Sequence, residues 1–425
     1  MSNYPKELWK SQILKKLPVS ISFDTVNEKT VRKNGVVRLG SLYGVKVVSI
    51  GGDYITAKPV SFGHSILSGS IGVLTDIQIG ERETVGKFSV TLLHIDGNKA
   101  TVRVTNVFKA WEEEMLKYIE PKIGDITVFD MMDWSRLHEG DLDNLRPMCE
   151  DTYEYEAVTI YKIPSKDYGT MSLGWFSPNH ACSSIYVPFH NSNTDIFDPY
   201  ETGEAAQLSL DLLNAYGHDV LTESFMEVET VFQNEMNSIE DKSNELSKQD
   251  LSDFLTYFDM GMQEQAYITQ TLWLEANNKS EITSILDNIW NNSYLFSLFK
   301  IRNSMNQLDK ISNSKVFKEK IAEIAISISD SYMNGAKLFN EDVEHIEDLS
   351  ESGKKLIRQG EYEEGIDSLI QSFSAASGII FGNEAIVGLD DNPIEEDDSV
   401  IFYILLIFLL FVAFAFLLRK MQIQF

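Results

Sequence analysis

Two cysteines and two neighbouring histidines are the residues of this chain best suited to covalent chemistry. Cys149 and Cys182 are the only cysteines among 425 residues, and His180 and His190 stand on either side of Cys182. A thiol becomes a strong nucleophile when an imidazole takes its proton. On a strand, His180 and Cys182 would share a face because they are two residues apart. The alternative for each cysteine is a small buried side chain without chemistry. Both stay candidates, and no catalytic residue is assigned.

Metal binding is the second kind of chemistry that this region could support. Four side chains could act as ligands: His180, His190, Asp195 and Asp198. Their spacing matches no standard metal motif. The stretch that starts at Asn191 begins like a calcium loop, but Ile196 and Thr202 occupy the positions that need Gly and Glu. We therefore predict no metal and no cofactor.

The composition excludes several classes of protein. The chain carries 36 basic and 64 acidic residues, which gives a formal charge of −28 and argues against nucleic acid as a partner. A hydrophobic content of 43% with 11% aromatic residues excludes a wholly disordered chain. Two cysteines cannot build a disulfide scaffold.

Hydrophobic patterning divides the chain into an α+β multidomain arrangement. Residues 45–56 resemble residues 90–101 at an offset of 45. This repeat predicts two similar hairpins in a small barrel or sandwich. The alternative is a chance similarity between two ordinary hairpins. Helical periodicity dominates after residue 203. The predicted segments are an N-terminal segment (1–17), an all-β domain (18–108), a helix and linker (109–124), a mixed segment (125–290), a helical region or stalk (291–388), an acidic linker (389–399), an apolar span (400–418) and a short basic tail (419–425).

Three stretches of the mixed segment carry a family resemblance. The first stretch is residues 126–133, which Arg136 and His138 follow. The second is residues 171–188, and the third is residues 228–235. Together, residues 125–290 resemble the C-terminal half of the C69 dipeptidases, which are N-terminal-nucleophile hydrolases. The resemblance implies hydrolysis of short peptides by a cysteine whose own α-amino group acts as the base.

The departure from that family concerns the nucleophile. The half of the family fold that would supply an N-terminal cysteine has no counterpart, because residues 1–110 contain no cysteine. We therefore expect either the downstream part of a split hydrolase, which needs an upstream catalytic chain, or a non-catalytic derivative.

The C-terminal region predicts a membrane anchor. Residues from Val400 to Leu418 are 19 consecutive residues without a charge or an amide, close to the length that spans a bilayer as a helix. Acidic residues precede this span, and Arg419 and Lys420 follow it. Because positive charge favours the cytoplasmic side, this pattern predicts a single-pass protein with its large domain outside and its tail inside, although no signal peptide is visible. Sequons at Asn278 and Asn291 are compatible with that side and are candidate glycosylation sites.

Three functions follow as hypotheses. The first is a membrane-anchored C69-like dipeptidase that acts on short peptides and lacks its nucleophile half. The second is a non-catalytic surface binding or scaffold protein, and the third is a tail-anchored cytoplasmic adapter. Membrane lipid is the partner predicted for the apolar span.

Overall fold

The computed structural model describes residues 26–39, 43–61, 73–142, 145, 148–149, 157–163, 168–218, 220–243, 245–276, 279–290, 293–310, 313–339 and 342–382. Within these residues the fold is mixed α/β, with three sheets and twelve helices.

The N-terminal part is a β-domain of two four-stranded sheets. One sheet has the strand order β2-β3-β4-β5 and the other β1-β8-β7-β6, and all neighbouring strands are antiparallel. The strands are β1 (Val26–Arg32), β2 (Val36–Leu39), β3 (Tyr43–Ile50), β4 (Tyr54–Ser61), β5 (Thr75–Gln78), β6 (Arg82–Val85), β7 (Phe88–Asp96) and β8 (Lys99–Asn106). Alternate residues point inward, so both sheets contribute to one apolar core.

The two similar sequence segments form equivalent hairpins, one in each sheet. The β3–β4 pair shifts register between Val47 and Ser49, and the β7–β8 pair shifts between Leu92 and His94. These positions differ by 45 residues, which is the offset of the sequence repeat. The repeat thus includes a β-bulge, an irregularity that increases the local twist of the strand.

A helix connects the β-domain to the rest of the chain. Helix α1 (Val107–Ile119) follows β8 directly and binds the second sheet through two ion pairs. Arg82 lies 2.5 Å from Glu114, which is 3% exposed, and Arg103 lies 3.0 Å from Glu113. Burial opposes ionisation of Glu114, yet its basic neighbours keep its pKa below the usual value.

The remainder combines a small sheet with the other helices. Strands β9 (Val158–Lys162), β10 (Leu173–Ser177) and β11 (Val187–His190) form an antiparallel sheet in the order β11-β10-β9. The helices are α2 (Val128–Ser135), α3 (Tyr168–Met171), α4 (Asp198–Thr202), α5 (Glu204–Tyr216), α6 (Thr222–Ser243), α7 (Lys248–Glu275), α8 (Lys279–Ile289), α9 (Tyr294–Leu308), α10 (Ser314–Lys337), α11 (Glu344–Gln359) and α12 (Tyr362–Phe381).

One continuous apolar core unites this sheet with the helices. It extends from Met132 in α2 to Ile380 in α12 and includes the fully buried rings of Trp175, Trp273 and Trp290. Residues on both sides of position 290 therefore contribute to the same core. Helix α7 lies at its centre, and its buried positions run along the helix from Leu251 onward.

Helix α2 leads directly into the region of the cysteines, and its start is fixed by a capping box. The Thr127 hydroxyl accepts a hydrogen bond from the backbone N–H of Asp130, and the Asp130 carboxylate accepts one from the backbone N–H of Thr127. Together with the Thr127 hydroxyl and Lys122, this backbone contact lowers the pKa of Asp130 to about 2. Such caps satisfy N–H groups that have no partner inside the helix.

We expect Thr127→Ala to lower the free energy of unfolding by about 1 kcal/mol, because the N-cap acceptor is lost. Urea denaturation followed by tryptophan fluorescence measures this change. Thr230→Ala is the matched control, since the Thr230 hydroxyl only bonds a carbonyl of its own helix, that of Met226. An equal loss in both variants would contradict the capping role of Thr127.

The membrane prediction requires correction. None of the helices in the described part of the chain combines the length and apolarity needed to cross a bilayer. The longest, α7, has 28 residues but carries Asp250, Asp253 and Asp259, and each carboxylate would cost about 3 kcal/mol in a bilayer. For the described residues this finding contradicts the predicted single C-terminal transmembrane helix and the single-pass membrane localisation. The span from Val400 to Leu418 lies outside the described residues.

Candidate metal centre

The two cysteines of the chain lie side by side in the structure. Their sulfur atoms are 3.5 Å apart, although 33 residues separate Cys149 from Cys182. Both are free thiols, and each is 1% exposed. A disulfide would need a distance of about 2.05 Å, so this is a contact between two thiols.

Histidines surround the cysteine pair. One nitrogen of His138 and the two sulfur atoms all lie within 4.8 Å of one another. The fully buried imidazole of His180 is close enough to Cys149 to help lower the pKa of its thiol. The ring of His218, an exposed residue, lies 4.5 Å from the ring of His138. We call Cys149, Cys182, His138 and His180 the thiol–histidine cluster.

Backbone hydrogen bonds place Cys149 beside His138. The N–H groups of Met148 and Cys149 both donate to the carbonyl oxygen of Leu137, at 3.0 and 3.1 Å. Since Leu137 precedes His138, these two bonds bring the cysteine to the segment that follows α2.

Arg136 places the other cysteine. Its guanidinium donates to the carbonyl oxygens of Ala181 at 2.8 Å and Ser184 at 3.3 Å, on either side of Cys182. It also forms a two-pronged ion pair with Glu229 of α6, at 2.5 and 3.1 Å. Arg136 is 5% exposed and Glu229 fully buried. One buried cation thus connects α2, α6 and the 3₁₀ turn that contains Cys182.

Further hydrogen bonds fix this turn, which spans Ala181–Ser183. The hydroxyl groups of Ser183 and Ser184 lie 2.9 and 2.7 Å from that of Ser209 in α5. After the turn, the N–H of Ile185 donates to the side chain of Gln270 in α7 at 2.7 Å. The turn is therefore held by three helices before β11 begins.

The cluster favours a cysteine thiolate. The pKa of Cys149 is lowered to about 5, chiefly because the neighbouring Cys182 thiol stabilises the anion through a hydrogen bond. Burial opposes this effect, while the neighbouring His180 and His138 reinforce it. A thiolate is the form of cysteine that attacks electrophiles and binds metal ions.

The distances suit a tetrahedral metal ion. With Zn–S bonds of about 2.3 Å, two cysteine ligands of a tetrahedral zinc lie about 3.8 Å apart, and the sulfur atoms here are 3.5 Å apart. His138 adds a third ligand, so three of the four positions of a tetrahedral ion have a donor from the chain. Cysteine sulfur and histidine nitrogen are the donors that zinc prefers in proteins.

The structure separates the residues that the sequence suggested as a group. Cys182, Cys149 and His180 come together, whereas His190 faces the other way and contacts Asp259 of α7. Within the described residues, no group containing Asp195 or Asp198 meets the geometric requirement for a metal site. Both sequon asparagines, Asn278 and Asn291, lie outside the described residues.

Sequence reasoning missed His138 as a member of the cluster. It lies 11 residues before Cys149 and 44 before Cys182, and no metal motif uses that spacing. The one available signal was its place in the stretch that resembles the C69 family, where it follows Arg136 by two residues.

His190 and Asp259 form a separate buried polar group. The Asp259 carboxylate accepts hydrogen bonds from the His190 backbone at 2.6 Å, from its Nδ1 at 3.0 Å and from Asn193 at 2.7 Å. Three donors stabilise one fully buried carboxylate, so this group ties β11 and the loop after it to α7.

Comparisons of the chain with known proteins found no match. No protein-family model matches the chain, no curated protein matches its sequence, and no solved structure matches its fold.

Proposed function

We propose that this protein binds one zinc ion through the thiol–histidine cluster, and that the ion joins the segment after α2 to the turn before β11. The observation that carries the proposal is the convergence of the two cysteines and His138 within 4.8 Å of one another. Thiolate and imidazole together select zinc over magnesium or calcium, which prefer oxygen ligands.

The burial of the cluster favours a structural role for the ion. Both cysteines are 1% exposed and His180 is fully buried, which leaves little room for a substrate at the metal. The ligands come from segments that Arg136 and Leu137 already hold close together, so the ion would bind a largely preformed site. Zinc bound only by the folded state adds directly to the free energy of unfolding.

Metal analysis of the purified full-length chain tests this proposal. We expect about one zinc per chain and, with free zinc at about 100 times Kd, about 2.7 kcal/mol of added stability. Removal of zinc by a chelator should then lower Tm by about 5 °C. Cobalt(II) should restore the stability and give the sulfur-to-metal charge-transfer absorption of thiolate ligands. A folded chain that binds neither ion would refute the proposal.

Cysteine-type hydrolysis of short peptides is the second candidate, which the resemblance to the C69 family implies. The observation in its favour is the contact of His180 with a thiol whose pKa is lowered to about 5. The burial of both sulfur atoms counts against it, because a peptide must reach the nucleophile. The test is dipeptide hydrolysis in the same samples. If the zinc-free chain hydrolyses dipeptides and the Cys149→Ala variant does not, the result favours this candidate over the structural zinc.

A further inference from the structure

The cysteine pair also has the geometry of a reversible oxidation site. The two sulfur atoms must approach by about 1.5 Å to reach the disulfide distance. No third cysteine exists in the chain to compete for either partner. At this distance each sulfur atom can resolve an oxidised partner as a disulfide.

The cluster reaches the protein surface on the side of His138, although both cysteines are only 1% exposed. His138 is half-buried, and the exposed His218 packs against its ring. A peptide cannot follow this route without rearrangement, but hydrogen peroxide is about the size of water.

We infer that peroxide converts Cys149 and Cys182 into a disulfide and thereby releases the zinc ion, which makes the centre redox-sensitive. This inference rests on the proposed zinc binding. A disulfide removes both thiolate ligands together, and the His138 imidazole that remains binds zinc much more weakly than the complete site.

The chemistry balances with peroxide as the oxidant. The Cys149 thiolate attacks one peroxide oxygen, the O–O bond breaks, and the departing hydroxide takes up a proton to become water. Cys149 is then a sulfenic acid. The Cys182 sulfur attacks that sulfur atom, an S–S bond forms, the S–O bond breaks, and the departing hydroxide takes up a proton from solvent and becomes a second water. Two thiols lose two electrons and one peroxide gains them, and an added dithiol reverses the change.

Zinc release and thiol loss in the zinc-loaded full-length chain test the inference. After peroxide treatment we expect the number of free thiols to fall from two to none per chain. The mass of the zinc-free chain should fall by the mass of two hydrogen atoms for the disulfide that forms. A chromogenic chelator should report zinc release at the same rate, and dithiothreitol with fresh zinc should restore the site. Cys149→Ser and Cys182→Ser each retain one thiol and should form no intramolecular disulfide, with circular dichroism as the check on folding.

Failure of the inference is distinguishable from failure of the proposed function. A chain that holds one zinc but keeps both thiols and the ion under peroxide overturns the inference and leaves zinc binding intact. Oxidation of Cys149 to a sulfinic acid without an S–S bond also overturns it. A chain that never binds zinc refutes both zinc binding and zinc release, even if the disulfide forms.

Discussion

Replacing Cys182 with Ser is expected to reduce zinc affinity by more than 100-fold, and Cys149→Ser should do the same. Loss of a residue that only supports a metal ligand costs about 10–100-fold in affinity, and loss of the ligand itself costs more. Serine keeps the size of the side chain, but its hydroxyl stays protonated near neutral pH and is a poor zinc ligand. Competition with a chromogenic chelator measures the affinity of each variant.

Histidine variants extend this test to the nitrogen ligands. We expect His138→Ala to lose zinc affinity to a similar degree. The control is His345→Ala, because His345 is exposed on α11, outside the cluster. If His138→Ala bound zinc as tightly as the control, His138 would not be a ligand, and the site would need another donor.

The hairpins of the β-domain could be predicted from the local pattern of the sequence. Val45, Val47, Val90 and Leu92 alternate with more exposed neighbours, and all four are fully buried. Strand alternation and turn residues are local properties, so they are visible in the sequence. The repeat predicted paired hairpins for the same reason.

The cluster could not be predicted in this way. Cys149 and Cys182 meet because Leu137 binds one segment and Arg136 binds the other, and these contacts join residues up to 48 positions apart. Nothing in the spacing of the cysteines indicates this juxtaposition. Short-range reasoning instead grouped His190 with Cys182, whereas Asp259, 69 residues away, determines where His190 lies.

Arg136 is the residue on which the geometry of the cluster depends most, and we expect Arg136→Met to destabilise the fold by about 3–5 kcal/mol. Removing one partner leaves the other as an uncompensated buried charge. Among the described residues, Glu229 would then keep only one hydrogen-bond donor in the core, the N–H of Tyr186 at 2.8 Å. Urea denaturation of the zinc-free chain at pH 7 measures the loss.

The pH dependence of this loss has a definite sign. Burial already raises the pKa of Glu229, and the charge of Arg136 opposes that rise. Without Arg136 the pKa of Glu229 should rise further above its unfolded value of about 4.3. A folded-state pKa that is raised favours the folded state at low pH and loses that benefit as pH increases. The deficit of Arg136→Met should therefore shrink as pH falls from 8 to 5, and a deficit that grew would contradict the assignment.

A double variant separates the charge of Arg136 from its positioning role. In Arg136→Met with Glu229→Leu neither charge of the pair remains, and such replacements are often neutral or stabilising. We expect most of the lost stability to return. The carbonyl groups of Ala181 and Ser184 would still lack the guanidinium that holds them around Cys182. Zinc affinity should therefore stay about 10–100-fold below that of the wild type. Full recovery of both stability and affinity would mean that Arg136 serves only to neutralise Glu229, and that the turn carrying Cys182 keeps its shape through its contacts with Ser209 and Gln270 alone.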